Sequence, residues 1–335
     1  MPLPILIGIA AATAAVGVGK GVKAVKDNNK ADDINYKAKR TISRAKDSLE
    51  VSRKDCNTAL ESLGSVKLSV LDKSISRFIS SFEKLKNVQL QESAGLDEMN
   101  KFRLDKQSVS ELREMSGYAS SILGGVAGGT MAGALAGFGA YGATMTFASA
   151  STGTAIAALS GAAAKSATLA FLGGGSLAAG GLGVAGGAMV LGGLVAGPAL
   201  AVMGFVIGAK ASANLDNARS NLAEARVVAE ELETAAVLCD GIRNRCEMFE
   251  SLLVRLDSLF IQFISSMEGI IAAKGNGWNA FDSEEKKAIA ACASIAGAVK
   301  KVLDTPILAE DGKLTEESAV VASEIEGVVD AYGSA

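Results

Sequence analysis

The sequence GGVAGGTMAGALAGFG, residues 124 to 139, contains seven glycines among sixteen residues. It lies in a segment from residue 118 to residue 209 that holds 23 of the 38 glycines and one charged residue, Lys165. We call residues 118–209 the glycine-rich segment. Glycine inside a helix costs about 0.5–1 kcal/mol relative to alanine, so helices with this composition need close packing to offset that cost. Four of its glycines recur every four residues and form one stripe along a helix: Gly125, Gly129, Gly133 and Gly137.

Shorter copies of the same spacing follow later in the segment, at Gly183 and Gly187, Gly193 and Gly197, and Gly204 and Gly208. Small residues four apart are typical of helices that pack closely where the surroundings are as apolar as the side chains. We therefore predict that these ten glycines are helix-packing positions. The alternative is that they lie in the alanine and glycine core of a soluble helical bundle.

The hydrophobicity of the segment is uneven. Residues 188–209 favour bilayer insertion by roughly 3–5 kcal/mol, whereas residues 118–142 contribute roughly 1.5–3 kcal/mol. A marginal span can be shielded in water and inserted later, which is the basis of the membrane hypothesis. The predicted membrane-facing residues are Val190, Leu191, Leu194, Val195, Val202, Phe205, Val206 and Ile207.

Apolar residues three and four apart dominate the rest of the chain and predict an all-α fold, with an elongated helical bundle or coiled coil flanking a Gly/Ala-rich apolar hairpin. We predict four parts: an apolar anchor or buried helix at 1–26, amphipathic helices at 27–117, a membrane-inserting segment at 118–209 and a helical bundle at 210–335. Turns or bends are expected at Gly64 and at Asp240 with Gly241. Amphipathic helices are expected from about Met99, from an Asp282 cap with Glu285, and from near Thr315.

The amino terminus begins with an apolar run from residue 3 to residue 19, which three lysines follow: Lys20, Lys23 and Lys26. Because the charges come after the run, we expect no cleavable signal peptide but a membrane anchor, an interfacial helix or a docked core helix. Residues 1–117 carry 20 basic and 15 acidic residues, against 12 and 21 in residues 210–335. We call Lys20, Lys23 and Lys26 the basic flank and expect its positive charge, with that of residues 1–117, to be attracted to anionic lipid. We therefore expect the protein to be membrane-associated, or cytoplasmic before insertion.

The residues needed for common catalytic sites are sparse. The chain has no histidine, which excludes His-containing nucleophile pairs and metal sites. The sequence GAAAKS at 161–166 fails as a phosphate loop because Ala164 and Leu159 replace its glycines. The four cysteines are scattered along the sequence, and we expect them to be small buried residues. We predict a protein that is not an enzyme and has no catalytic residue, cofactor, metal, small-molecule substrate or nucleic-acid partner; its expected partners are a lipid membrane and further copies of itself.

The sequence ATLAFLGGGSLAAGGLGVAGGAMVLGGLVAGPALAVMGF, residues 167–205, resembles a glycine-zipper-rich signature of bacterial proteins of unassigned function. The resemblance continues through KASANLDNARSNLAEA at 210–225 and VGVGKGVKAV at 16–25, and implies no catalytic or ligand residue. In layout the chain also resembles α-helical pore-forming toxins, in which long helices flank a hidden apolar hairpin.

These observations support two main hypotheses. The first is a membrane-associating protein that inserts its glycine-rich segment and oligomerises, as a pore of the toxin or defence-effector type. The second is a soluble oligomeric helical scaffold with an Ala/Gly core. A constitutive integral membrane protein is a third alternative.

Overall fold

The computed structural model describes residues 20–88, 102, 104–125, 138–140, 215–309 and 313–333. The helices in this part are α1 (Lys20–Val70), α2 (Ser76–Phe82), α3 (Lys106–Gly125), α4 (Leu215–Lys274), α5 (Ser283–Asp304) and α6 (Glu316–Gly333). No β-strand occurs among the described residues, which confirms the predicted all-α class. Described residues within Met1–Lys46 and Leu200–Glu231 form one compact unit, and those within Asp47–Ala199 and Leu232–Ala335 form a second.

Small residues build the buried faces in the first unit. On α1 they are Ala31, Ala38 and Ala45, and on α4 they are Ala218, Ala225 and Ala229, all nearly inaccessible to solvent. Alanine at these positions lets helix axes approach closely. Asn221 Nδ2 donates a hydrogen bond to Asn35 Oδ1 at 3.0 Å, which joins the two helices across this seam.

In the second unit α1 and α2 run parallel to α4. Contacts between the two helical stretches advance in the same direction along both, from Arg243 with Asp55 to Phe260 with Phe78 and then Glu268 with Ser81. The seam carries bulkier side chains here, including Phe78, Phe249, Leu256 and Phe260.

A π-helical turn, Leu71–Ile75, joins α1 to α2 without ending the helix. Leu71, Ser74 and Ile75 of this turn are buried. Helix α3 packs on the turn, and Ser120 Oγ donates to Asp72 Oδ1 at 2.5 Å. Widened turns of this kind are rare and recur at functional sites in helical proteins.

Helices α3, α5 and α6 complete the second unit. Leu112 of α3 and a row of apolar residues on α5, among them Ile289, Ile295, Val299 and Leu303, are buried. Lys300 of α5 forms an ion pair with Glu111 of α3 at 2.9 Å, and Lys301 forms one with Glu324 of α6 at 2.6 Å. These pairs join the carboxyl-terminal half of α5 to both neighbouring helices.

Several sequence expectations are confirmed and others are wrong. Asp282 caps α5 and forms the capping box with Glu285, and α6 begins directly after Thr315. The turn expected at Gly64 is wrong, because this residue lies inside unbroken α1. Gly241 lies inside unbroken α4, so the helix does not end there. Gly64 is buried next to Gly139, where close packing offsets the cost of glycine, whereas a Cβ atom at Gly241 would meet Leu314 at an ordinary contact distance of 3.6 Å. The helix expected from about Met99 begins at Lys106 in α3.

In the described part of the chain, α4 is the one helix long and apolar enough to cross a membrane, with a window of mean hydropathy 1.3. Only 28% of that window is buried. Length and composition are weak evidence by themselves, because a core helix of a soluble protein can meet the same criteria. Phe260, Ile264 and Met267 of α4 are fully buried, as expected for a helix that contributes to the core.

Candidate docking site for the glycine-rich segment

Residues 138–140 of the glycine-rich segment are buried in the second unit. They are helical, with Phe138 3% and Ala140 0% exposed. They contact α1 through Leu60, Gly64 and Lys67 and the loop after α5 through Ile307 and Leu308. We call these five residues the docking site and residues 138–140 the docked tripeptide.

The α1 side of the docking site accepts only glycine at position 139. A Cβ atom at this position would clash with the main-chain carbonyl of Leu60 and would lie 3.2 Å from the Gly64 nitrogen. The obstructing atoms are main chain within a helix, so they cannot turn aside as a flexible side chain would. Gly64 is itself buried at this contact. Two glycines therefore bring the tripeptide close to α1.

The second side of the site is the loop after α5, residues 305–309. The Ile307 and Leu308 amides donate to the Ala140 carbonyl at 2.8 and 3.1 Å. Thr315 braces the loop, since its amide donates to Ile307 O at 3.0 Å and its hydroxyl donates to Pro306 O at 2.6 Å. A further main-chain bond joins the Ala309 amide to Lys313 O at 2.9 Å. The loop thus presents two preorganised donors to one carbonyl of the tripeptide.

Lys67 places a charged group beneath the docked tripeptide. Its side chain is 0% exposed, and Nζ lies 3.4 Å from the carbonyl oxygens of both Phe138 and Gly139. The same Nζ lies 6.0 Å from the centroid of the Phe138 ring. Carbonyl dipoles and a ring face are both attracted to a cation. The distances exceed the usual 2.9–3.0 Å for such bonds, so each contact is weak.

The ionisation of Lys67 reflects its burial. Loss of hydration lowers the pKa of Lys67 from 10.5 to about 8, although Cys246 of α4 and Asp304 of α5 act in the opposite direction. Burial therefore outweighs the favourable interactions that the surrounding groups supply.

A second attachment lies near the beginning of the glycine-rich segment. Helix α3 extends to Gly125, and its Ser120 is bonded to Asp72 of the π-helical turn. In the same helix Ala119 and Met115 are buried, and Arg113 is ion-paired with Glu83. Because α3 leads into the segment, these contacts hold its first residues on the same unit as the docking site.

Most of the predicted site residues lie outside the described residues. Gly125 is the last residue of α3, and Lys20, Lys23 and Lys26 lie at the start of α1. The remaining predicted helix-packing glycines and all eight predicted membrane-facing residues fall in the undescribed ranges, as do Lys165 and the apolar run at 3–19. Their roles stay predictions, as does the division of the sequence into four parts. The cysteines at 56, 239, 246 and 292 are buried, as expected.

Sequence reasoning did not identify Lys67 or Gly139. The signal for Lys67 was its position, seven residues after Leu60 and four before Leu71, where a buried seam residue belongs. Gly139 lies outside the four-residue stripe that drew attention to the segment. Its role depends on Leu60, which is 79 residues away in sequence, and no local pattern encodes that contact.

No family model, no curated protein and no solved structure matches the chain.

Proposed function

We propose that this chain is a membrane-associating helical protein that inserts its glycine-rich segment into a bilayer and oligomerises there into a pore. In the water-soluble form the helical body holds the beginning of the segment. On release, the segment crosses the bilayer as helices that contact one another through Gly125, Gly129, Gly133 and Gly137. The role is non-enzymatic and needs no cofactor.

One observation carries the proposal, namely the burial of residues 138–140 in the docking site. These residues belong to a segment with one charge in 92 residues, which water would otherwise solvate poorly. Among the described residues, their attachment includes the Phe138 side chain, the Gly139 contact and four weak or moderate interactions with main-chain carbonyls. A segment held in this way can be detached without dismantling the apolar seam between α1 and α4.

Flotation of the full-length protein with dye-loaded vesicles tests the proposal. Vesicles of phosphatidylcholine with phosphatidylglycerol should float the protein and leak. Neutral vesicles should bind less, since the amino-terminal flank carries a net charge of about +5. Protein that stays at the bottom of the gradient with both vesicle types would contradict membrane insertion.

The glycine stripe has its own test. Replacing Gly129 and Gly133 together with leucine should abolish oligomers in membranes, because leucine prevents close helix approach. Cross-linking in vesicles measures the outcome, and Gly269→Leu on the exposed side of α4, where the space around the glycine is open, serves as the control. Unchanged oligomers in the double variant would contradict a role for the stripe.

A soluble oligomeric scaffold is the second candidate. The observation in its favour is the contact of Gly139 with the Leu60 main chain, which is the close approach that an Ala/Gly core requires. On this alternative the docked tripeptide is permanent core. Sedimentation of a defined oligomer without detergent, together with no flotation, would support it.

A further inference from the structure

Two cysteines meet across the seam between α1 and α4 in the second unit. Cys56 lies on α1 and Cys239 lies on α4, and their side chains are 6% and 4% exposed. The Cys56 thiol interacts with the Cys239 sulfur as a hydrogen-bond donor. We propose that Cys56 and Cys239 form a site of reversible oxidation, at which a disulfide joins α1 to α4.

The register of the seam independently brings these two cysteines to the same level. Because the helices run parallel, residues in contact keep a nearly constant separation in sequence. Three other pairs across this part of the seam are 182 to 188 residues apart: Phe78 with Phe260, Ser81 with Glu268, and Asp55 with Arg243. Cys239 follows Cys56 by 183 residues, which lies within this range. A disulfide needs Cα atoms about 4.4–6.8 Å apart, and two short side chains that touch across a helical seam come close to that separation.

The other two cysteines are less suited to the reaction. Cys246 follows Cys239 by seven residues on α4, which is about 10.5 Å along the helix axis and beyond the reach of a disulfide. Cys292 lies on α5 and is fully buried. Burial raises the pKa of both thiols, that of Cys246 to about 12, so they form little reactive thiolate. We therefore expect one specific bridge.

The reaction is a thiol–disulfide exchange in which a small disulfide, such as oxidised glutathione, is the oxidant. Cys239 attacks first, because the hydrogen bond from Cys56 lowers the pKa of the Cys239 thiol. Its thiolate forms a mixed disulfide with one sulfur of the oxidant and expels one glutathione thiolate. The Cys56 thiolate then attacks the Cys239 sulfur, and the second glutathione thiolate leaves. Two electrons pass to the oxidant, and the two cysteine protons pass to the glutathione thiolates.

Oxidation of the full-length protein without lipid tests the site. Both sulfurs are buried, so the exchange needs local opening of the seam, and a parallel sample with a thiol alkylating agent shows when this opening has occurred. The reduced protein is incubated for that time with oxidised glutathione, and mass spectrometry of the digested protein maps its disulfides. We expect one bridge, between Cys56 and Cys239. Four free thiols after this time, or a bridge between other cysteines, would overturn the inference.

Two variants show whether the bridge fits the native seam. Cys239→Ala cannot form it, whereas Cys246→Ala removes another buried cysteine of α4 and is the matched control. Oxidation should shift the unfolding equilibrium of the wild type and of Cys246→Ala toward the folded state by about 30-fold to 700-fold, because the bridge restricts the unfolded chain. A reducing agent should reverse this shift, and Cys239→Ala should not show it. An equal shift in Cys239→Ala, or no shift in the wild type, would overturn a disulfide at this position of the native structure.

Discussion

Replacing Gly139 with alanine should expel the docked tripeptide from the body. The added methyl group would clash with the Leu60 carbonyl, a main-chain atom within a continuous helix. Helix α1 cannot yield locally, so the tripeptide must move away. That movement breaks the bonds of 2.8 and 3.1 Å from Ile307 and Leu308 to Ala140.

The size of the effect follows from what docking buries. Burial of the Phe138 side chain stabilises the docked state by about 1.5–3 kcal/mol. Each of the two amide bonds contributes about 0.5–1.5 kcal/mol. Losing these contributions weakens docking by about 2.5–6 kcal/mol. The lower figure corresponds to about 60-fold faster exchange of the two amides.

Hydrogen exchange at Ile307 and Leu308 measures this change, and circular dichroism verifies that the helical body remains folded. Gly269→Ala is the matched control, since its new methyl group meets open space on α4, where alanine favours the helix by about 0.5–1 kcal/mol. It should leave both amides unchanged. Wild-type exchange rates in a folded Gly139→Ala protein would refute the docking site as described.

Three further predictions concern other contacts of the second unit. Thr315→Ala removes the hydroxyl that accepts a hydrogen bond from the Ser318 amide and donates one to Pro306 O. The free energy of unfolding, measured by urea titration, should therefore fall by about 0.5–2 kcal/mol. Thr315→Ser keeps the hydroxyl and should retain most of the wild-type stability. Gly297→Ala should destabilise the protein by about 1–3 kcal/mol, because the new methyl group would clash with the Phe102 carbonyl. Gly327→Ala is the control and should not destabilise the protein, because the space around Gly327 is open. Equal stabilities of these two variants would count against the contact between Gly297 and Phe102. The pKa of Lys67 is about 8 in the folded protein and 10.5 in the unfolded chain, so the unfolded chain binds more protons between these pH values. The free energy of unfolding should therefore rise as the pH increases from 8 to 10.5. The rise should be at most about 3 kcal/mol relative to Lys67→Met. A wild-type pH profile parallel to that of the variant would contradict the burial of the charged lysine.

The helical seams could be predicted from sequence because they depend on local periodicity. Leu68, Leu71, Ile75 and Phe78 repeat at spacings of three and four, and all are buried on one face. The Asp282 cap could also be predicted, because the capping box needs only Glu285 three residues later. In these cases the residues that decide the structure lie within one or two helical turns.

The two interior glycines could not be interpreted locally. The sequences around Gly64 and Gly241 are typical of turns. Both glycines nevertheless lie inside helices, next to residues from distant parts of the chain. In sequence, a glycine that ends a helix cannot be distinguished from a glycine inside a helix that lies next to another part of the chain. The same limit applies to Lys67, whose carbonyl partners lie 71 and 72 residues further along the chain.

The π-helical turn at Leu71–Ile75 makes the length of the first helical stretch as important as its composition. A π-helical turn holds one residue more than an α-helical turn, whereas each residue of an α-helix turns the chain by about 100°. Inserting one further residue here would therefore rotate everything before it relative to Phe78, and Lys67 and Gly64 would point away from the docked tripeptide while the seam after the turn stayed in place. Single-residue insertions in this turn should be far less tolerated than substitutions, and they would disconnect segment docking from the assembly of the core.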